Sequence, residues 1–149
     1  THDYSISYSD TEAFMDNVDR LDKYLQEIAG VKTRLYRFQG GSSNSVHKKY
    51  LKDATMKDLF KLINDSGYRY FDWNVSSGDS GQVSPAASRS VKYVLKGVEG
   101  KKYSIVLMHD SRRKIYNAEA VDTIITTLKN EGYGFKKLSK DSFNVQHGK

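Results

Sequence analysis

Three short stretches concentrate side chains able to bind an anion, cover a sugar face or move a proton. They are Arg37-Phe38-Gln39-Gly40-Gly41-Ser42-Ser43-Asn44, Asp72-Trp73-Asn74-Val75-Ser76-Ser77-Gly78-Asp79 and Leu107-Met108-His109-Asp110. In the first, Arg37 can grip a carboxylate through two parallel hydrogen bonds. The small residues behind it let backbone N–H groups approach an oxyanion closely. In the second, Asp72 is a carboxylate suited to orienting a base, and Trp73 offers a broad apolar face with one polar handle. In the third, His109 ends an apolar run, and imidazole titrates near neutrality, as a general acid or base must. Each stretch also has a plainer reading: a Gly-Gly turn beside an exposed arginine, a core tryptophan opening a loop, a structural histidine satisfied by its neighbours. His2, in the opening Thr-His-Asp-Tyr-Ser, reads by itself as a terminal histidine, and His47 and His147 have weaker contexts still.

Such side chains need elements to hold them, and the chain alternates helical and extended patterns. Ser9 and Glu12 have the spacing of a capping box, followed by Phe14, Val18, Leu21, Leu25 and Ile28 at helical intervals, with Gly30 as the stop. An extended run, Thr33 to Phe38, comes next. Thr55 predicts the cap of a second helix with Met56, Leu59, Phe60 and Ile63 on its apolar face, closed by Gly67. The aromatic run from Tyr68 to Val75 reads as one strand. Ser84-Pro85 predicts a helix start whose stripe is Val91, Val94, Leu95 and Val98. The apolar run from Tyr103 to Asp110 reads as a strand buried on both faces. A last helix carries Ala120, Val121, Ile124, Ile125 and Leu128 up to Gly132, and Tyr133 to Leu138 predicts a final strand. Strands separated by helices imply a parallel α/β sheet, in which functional residues gather at strand C-terminal ends. All three stretches fall at such ends.

The 149 residues fit one domain with a single core, and 38% hydrophobic with 28% charged residues is a globular rather than a disordered composition. No apolar run reaches the length of a membrane span. The absence of cysteine excludes disulfides, thiolate metal sites and a cysteine nucleophile. A net charge of +6 favours anionic surroundings, but the lysines and arginines are dispersed. No aromatic-basic stacking pattern of a nucleic-acid binder is present, so nucleic acid is not expected as a partner.

Taken in order and at these intervals, the Arg37–Asn44, Asp72–Ser80 and Ile105–Asp110 stretches resemble the later motifs of NodB-type polysaccharide deacetylases, carbohydrate esterase family four. The wording is nearest to peptidoglycan and chitin-oligomer deacetylases of Gram-positive bacteria. The resemblance implies a distorted (β/α) barrel that hydrolyses N-acetyl groups from sugars with a divalent metal, usually zinc, which polarises the acetamide and activates water. By resemblance, His109 matches the general acid, Asp72 the carboxylate that orients it, and Arg37 the arginine that steadies the base aspartate. Gly40 matches a backbone N–H facing the oxyanion, and Trp73 and Leu107 match groove positions around the acetyl group. Gln39 stands where the family usually has proline.

The same resemblance gives His2 a role. It matches the second histidine of the motif His-[Ser/Thr]-x-x-His, a metal ligand. The first histidine, and the Thr-Phe-Asp-Asp-Gly motif with the base and the metal-binding aspartate, would precede Thr1. The expectation is therefore the C-terminal part of a deacetylase domain, 1–149, with the first strands of its barrel missing. Such a piece is expected to be inactive alone, to bind metal weakly or not at all, and to dimerise through an exposed sheet edge. The parent protein would act on a polysaccharide outside the cell or at its surface. The competing reading is a non-catalytic carbohydrate-binding module that keeps the groove without the metal centre.

Overall fold

The computed structural model describes residues 3–80, 87–112 and 114–148. The chain packs into two compact units, Thr1–Asp72 with Leu138–Lys149, and Trp73–Lys137. Each has its own apolar core.

The first unit begins with a short helix, α1 (Tyr4–Ser7), capped by Asp3, whose carboxylate accepts the Ser5 N–H. The long α2 (Thr11–Ala29) starts one residue later than its expected cap. Asp10, fully extended, accepts the Ala13 N–H at 2.7 Å, whereas the Ser9 hydroxyl is spent on the Ile6 carbonyl. Phe14 and Val18 are buried, but Leu21 and Ile28 farther along the same stripe are 51% and 66% exposed. The apolar period of α2 thus runs beyond the surface that its own unit covers. Gly30 ends the helix at φ 62, as expected.

A two-residue strand, β1 (Leu35–Tyr36), leads through α3 (His47–Tyr50) and α4 (Met56–Asp65) to β2 (Arg69–Tyr70). The predicted Thr55 cap of α4 is present and closed into a box by Asp58. β1 and β2 pair in parallel, Leu35 against Arg69 and Tyr36 against Tyr70. The core here is aromatic. Phe38, wholly buried, has the rings of Phe14, Tyr36, Phe60 and Tyr70 within 5.0–5.8 Å of its centroid. The loop that follows β1 is thereby pinned from below.

The second unit holds β3 (Val75–Ser76), α5 (Ala87–Val98), β4 (Val106–Leu107) and α6 (Tyr116–Asn130). β3 and β4 are parallel, Val75 against Val106 and Ser76 against Leu107. Val94 and Val98 of α5 and Ala120, Ile124 and Leu128 of α6 close over Val75. The expected Ser84-Pro85 helix start lies outside the described residues.

Three strand expectations change. The run Tyr68 to Val75 is two strands, because residues 71–74 leave the ladder between β2 and β3. The Tyr103–Asp110 run contributes only β4, and Val106 is 37% exposed rather than buried on both faces. Among the described residues β4 has one hydrogen-bonded neighbour, and a two-stranded sheet has little backbone to cover. Residues 133–138 form no strand, since no described strand pairs with them.

Candidate functional site

His109 sits just past the end of β4, and the residue that meets it comes from the loop after β3. The Ser77 N–H bonds the Leu107 carbonyl at 3.1 Å and carries the pairing one step beyond the strand. The chain then turns at Gly78, with φ +68 and the Tyr93 ring 2.9 Å from where a Cβ would be, so only glycine passes here without strain. The turn delivers Asp79, with none of its surface exposed.

Asp79 holds the histidine at two points. Its Oδ1 accepts the imidazole Nδ1–H at 2.8 Å, and its Oδ2 accepts the His109 backbone N–H at 2.9 Å. Oδ2 also accepts the Asn117 side-chain amide at 2.7 Å, while the Lys114 ammonium donates to the Asp79 carbonyl. Burial alone would raise the Asp79 pKa. The hydrogen bonds from the His109 and Asn117 side chains and from the His109 N–H outweigh it and hold the carboxyl below its ordinary 3.8. An ionised carboxylate only accepts, so the proton between the two groups belongs on Nδ1 and the exchangeable position is Nε2. The imidazole is 29% exposed, which leaves it open to a ligand. This is the geometry of a general acid or base held in one tautomer.

The contact expected of Asp72 is therefore made by Asp79. Asp72 is committed within the first unit: Oδ1 accepts the Ser42 N–H at 2.9 Å, and Oδ2 accepts the Ser42 hydroxyl and, at 2.8 Å, the His147 N–H. Its own N–H bonds the Val145 carbonyl at 2.7 Å, and the Gly148 N–H reaches the Ser42 hydroxyl oxygen at 2.8 Å. Asp72 is a buried knot joining the end of β2, the glycine loop and the C-terminal tail. Asp79 lies in the same stretch as Asp72 but was not among the expected site residues. Its signal was Ser77-Gly78-Asp79, a turn tripeptide that ends on a carboxylate just beyond a strand.

Gly40 lies where the loop turns. The Gly41 N–H closes on the Phe38 carbonyl at 2.9 Å, and Gly40, at φ +70, occupies the third position of that turn. Positive φ there marks a type II turn, whose second position favours proline. Gln39 fills that second position and the turn forms with it. Around the turn, the Tyr8 hydroxyl donates to the Gln39 carbonyl at 3.1 Å, and burial pushes its pKa up to about 12.

Arg37 is exposed and directly follows β1. Trp73 and Leu107 are half-buried in the second unit, Leu107 on β4 two residues before His109. Arg37, Gly40 and Asp72 thus share one unit, and Trp73, Leu107, Asp79 and His109 the other. A groove of about 720 Å³ beside Val91, Leu95 and Glu119 contains none of these residues. His2 lies outside the described residues. Among the described residues no three His, Asp or Glu side chains converge as a metal needs.

No family model matches the chain. It is 28% identical over 144 residues to YheN of Bacillus subtilis (strain 168), provisionally named a polysaccharide deacetylase, covering 93% of this chain and 46% of that one. The crystal structure of the catalytic domain of peptidoglycan N-acetylglucosamine deacetylase from Eubacterium rectale ATCC 33656 superposes with a TM-score of 0.91. Identity there is 34%, over 98% of this chain and 65% of that one. Polysaccharide deacetylase Bc1974 from Bacillus cereus, at 24% identity, shares the fold with a TM-score of 0.76 over 99% of this chain and 68% of that one. The chain spans about half the length of its curated relative. Its fold is that of a polysaccharide deacetylase domain over the part it spans.

Proposed function

We propose that this homologue of polysaccharide deacetylases is the C-terminal part, 1–149, of a catalytic domain that removes N-acetyl groups from an N-acetylglucosamine polysaccharide such as peptidoglycan. The observation that carries the proposal is His109, its Nδ1 held by buried Asp79 and its ring open to solvent. In the imidazolium form, Nε2–H gives its proton to the amide nitrogen as the C–N bond breaks and acetate separates from the free amine. Water supplies the hydroxyl that acetate gains. Asp79 keeps the negative charge that stabilises the imidazolium.

The remaining roles belong to the same proposal. Gly40 presents backbone N–H to the developing oxyanion, Arg37 pairs with a carboxylate base of the whole protein, and Trp73 and Leu107 flank the acetyl group. Asp72 acts on the glycine loop through Ser42. In the whole protein His2 would be among the ligands of a divalent metal, zinc by preference, which would polarise the acetamide carbonyl and activate water. This chain alone is inactive and holds that metal weakly or not at all. The site of action is the cell wall or the cell exterior.

The test is acetate release from peptidoglycan and N-acetylglucosamine oligomers by the full-length protein. His109→Ala is expected to lower kcat by about 10²–10⁴-fold with KM little changed. A full-length protein that releases no acetate from either substrate overturns the proposal, and so does release by the 149-residue chain alone at the full-length rate.

A further inference from the structure

Asn117 stands in the first turn of α6, is 6% exposed, and turns one side-chain nitrogen toward two oxygens. Nδ2 donates to Asp79 Oδ2 at 2.7 Å and to the His109 carbonyl. Both acceptors lack a proton to give, so the amide can sit only with its NH₂ toward them and its oxygen away. The two N–H bonds of a single nitrogen therefore tie the carboxylate to the backbone of the very histidine it orients.

We propose that Asn117 is a positioning residue for the Asp79–His109 pair, acting through both partners from the end of α6; the proposal rests on the acid role of His109. The count of donors supports this. Asp79 Oδ2 receives the His109 N–H and Asn117, and Oδ1 receives the imidazole, so the carboxylate has no free rotation about its Cβ–Cγ bond. Without Asn117, Oδ2 keeps the His109 N–H alone, and the His109 carbonyl loses the donor that closes the ring of contacts. Beside the pair, the Lys114 ammonium bonds the Asp79 carbonyl. Few side chains could replace Asn117. Aspartate would set carboxylate against carboxylate, alanine would leave a buried acceptor short, and glutamine is one methylene too long for a well-packed site.

Two readouts separate this role from simple packing. In the full-length wild-type protein, nitrogen-detected NMR is expected to show neutral His109 protonated on Nδ1 and Asn117 side-chain amide protons that exchange slowly with solvent. An Nε2-protonated tautomer, or Asn117 amide protons exchanging as fast as those of an exposed asparagine, would overturn the proposal without any variant being made. In Asn117→Ala, kcat is expected to fall roughly tenfold with KM nearly unchanged, because the acid is held less well while the substrate contacts stay in place. A folded Asn117→Ala protein at full kcat overturns the proposal. The NMR arm needs no substrate, so an inactive full-length protein would defeat the deacetylase reading and leave Asn117 still testable.

Discussion

At Asp79 one buried carboxylate is asked to do two things, keep its charge and keep a histidine in one tautomer. Its folded pKa is held below the ordinary 3.8, so it contributes stability that is fully present above that value and is lost as pH falls through the lower, folded pKa. Urea unfolding between about pH 2 and 6 is expected to show that acid loss in the wild type. Asp79→Asn, which cannot titrate, should be less stable near neutrality and show a shallower acid limb; an unchanged limb would remove Asp79 from the account. Residue chemistry was partly legible in the sequence. His109 stood out because it ends an apolar run, and its position after β4 matches that reading. Asp72 and Asp79 are both acidic residues near strand ends, and the turn that brings Asp79 to His109 rests on a positive φ at Gly78. A dihedral angle at a glycine is not written in residue order.

Among the elements, the helices were more legible than the strands. Thr55 caps α4 as expected, with Asp58 closing the box, since a cap is a local contact across three residues. The strands shrank to pairs of residues because a ladder depends on neighbours far away in sequence. The α2 stripe carries a sharper test. Phe14, stacked on Phe38 with centroids 5.8 Å apart, and Leu21, half exposed, share one helical period. Phe14→Ala is expected to cost about 3–5 kcal/mol and Leu21→Ala well under ~1 kcal/mol in chemical denaturation of this chain. Equal costs would mean that α2 is covered along its whole length. The tail makes another prediction at this scale. Ser42 bonds Asp72 through both its N–H and its hydroxyl and accepts the Gly148 N–H, so Ser42→Ala should cost about 1–3 kcal/mol. It should also speed hydrogen exchange at the His147 and Gly148 amides. Exchange unchanged at those two amides would show that the tail is held by something else.

For the molecule as a whole, two apolar cores serve two compact units, and each carries part of the residue set matched by resemblance. Composition could not show this division. An average of 38% hydrophobic residues says that a core forms, not how many. What composition did constrain was the chemistry: with no cysteine in the chain, thiolate nucleophiles and thiolate metal ligands are excluded. The likeness covers 98% of this chain but 65% of the Eubacterium rectale chain, so the proposed reaction is one for the whole protein to perform. Its central claim is that Asp79, rather than Asp72, orients the acid. The direct measurement is the kcat of acetate release by full-length Asp79→Asn and Asp72→Asn proteins, each checked for folding by circular dichroism. The account predicts that Asp79→Asn loses on the order of 10²-fold in kcat with KM retained, while Asp72→Asn chiefly lowers the melting temperature. A folded Asp79→Asn enzyme working at the wild-type rate, beside a folded but inactive Asp72→Asn enzyme, would contradict it.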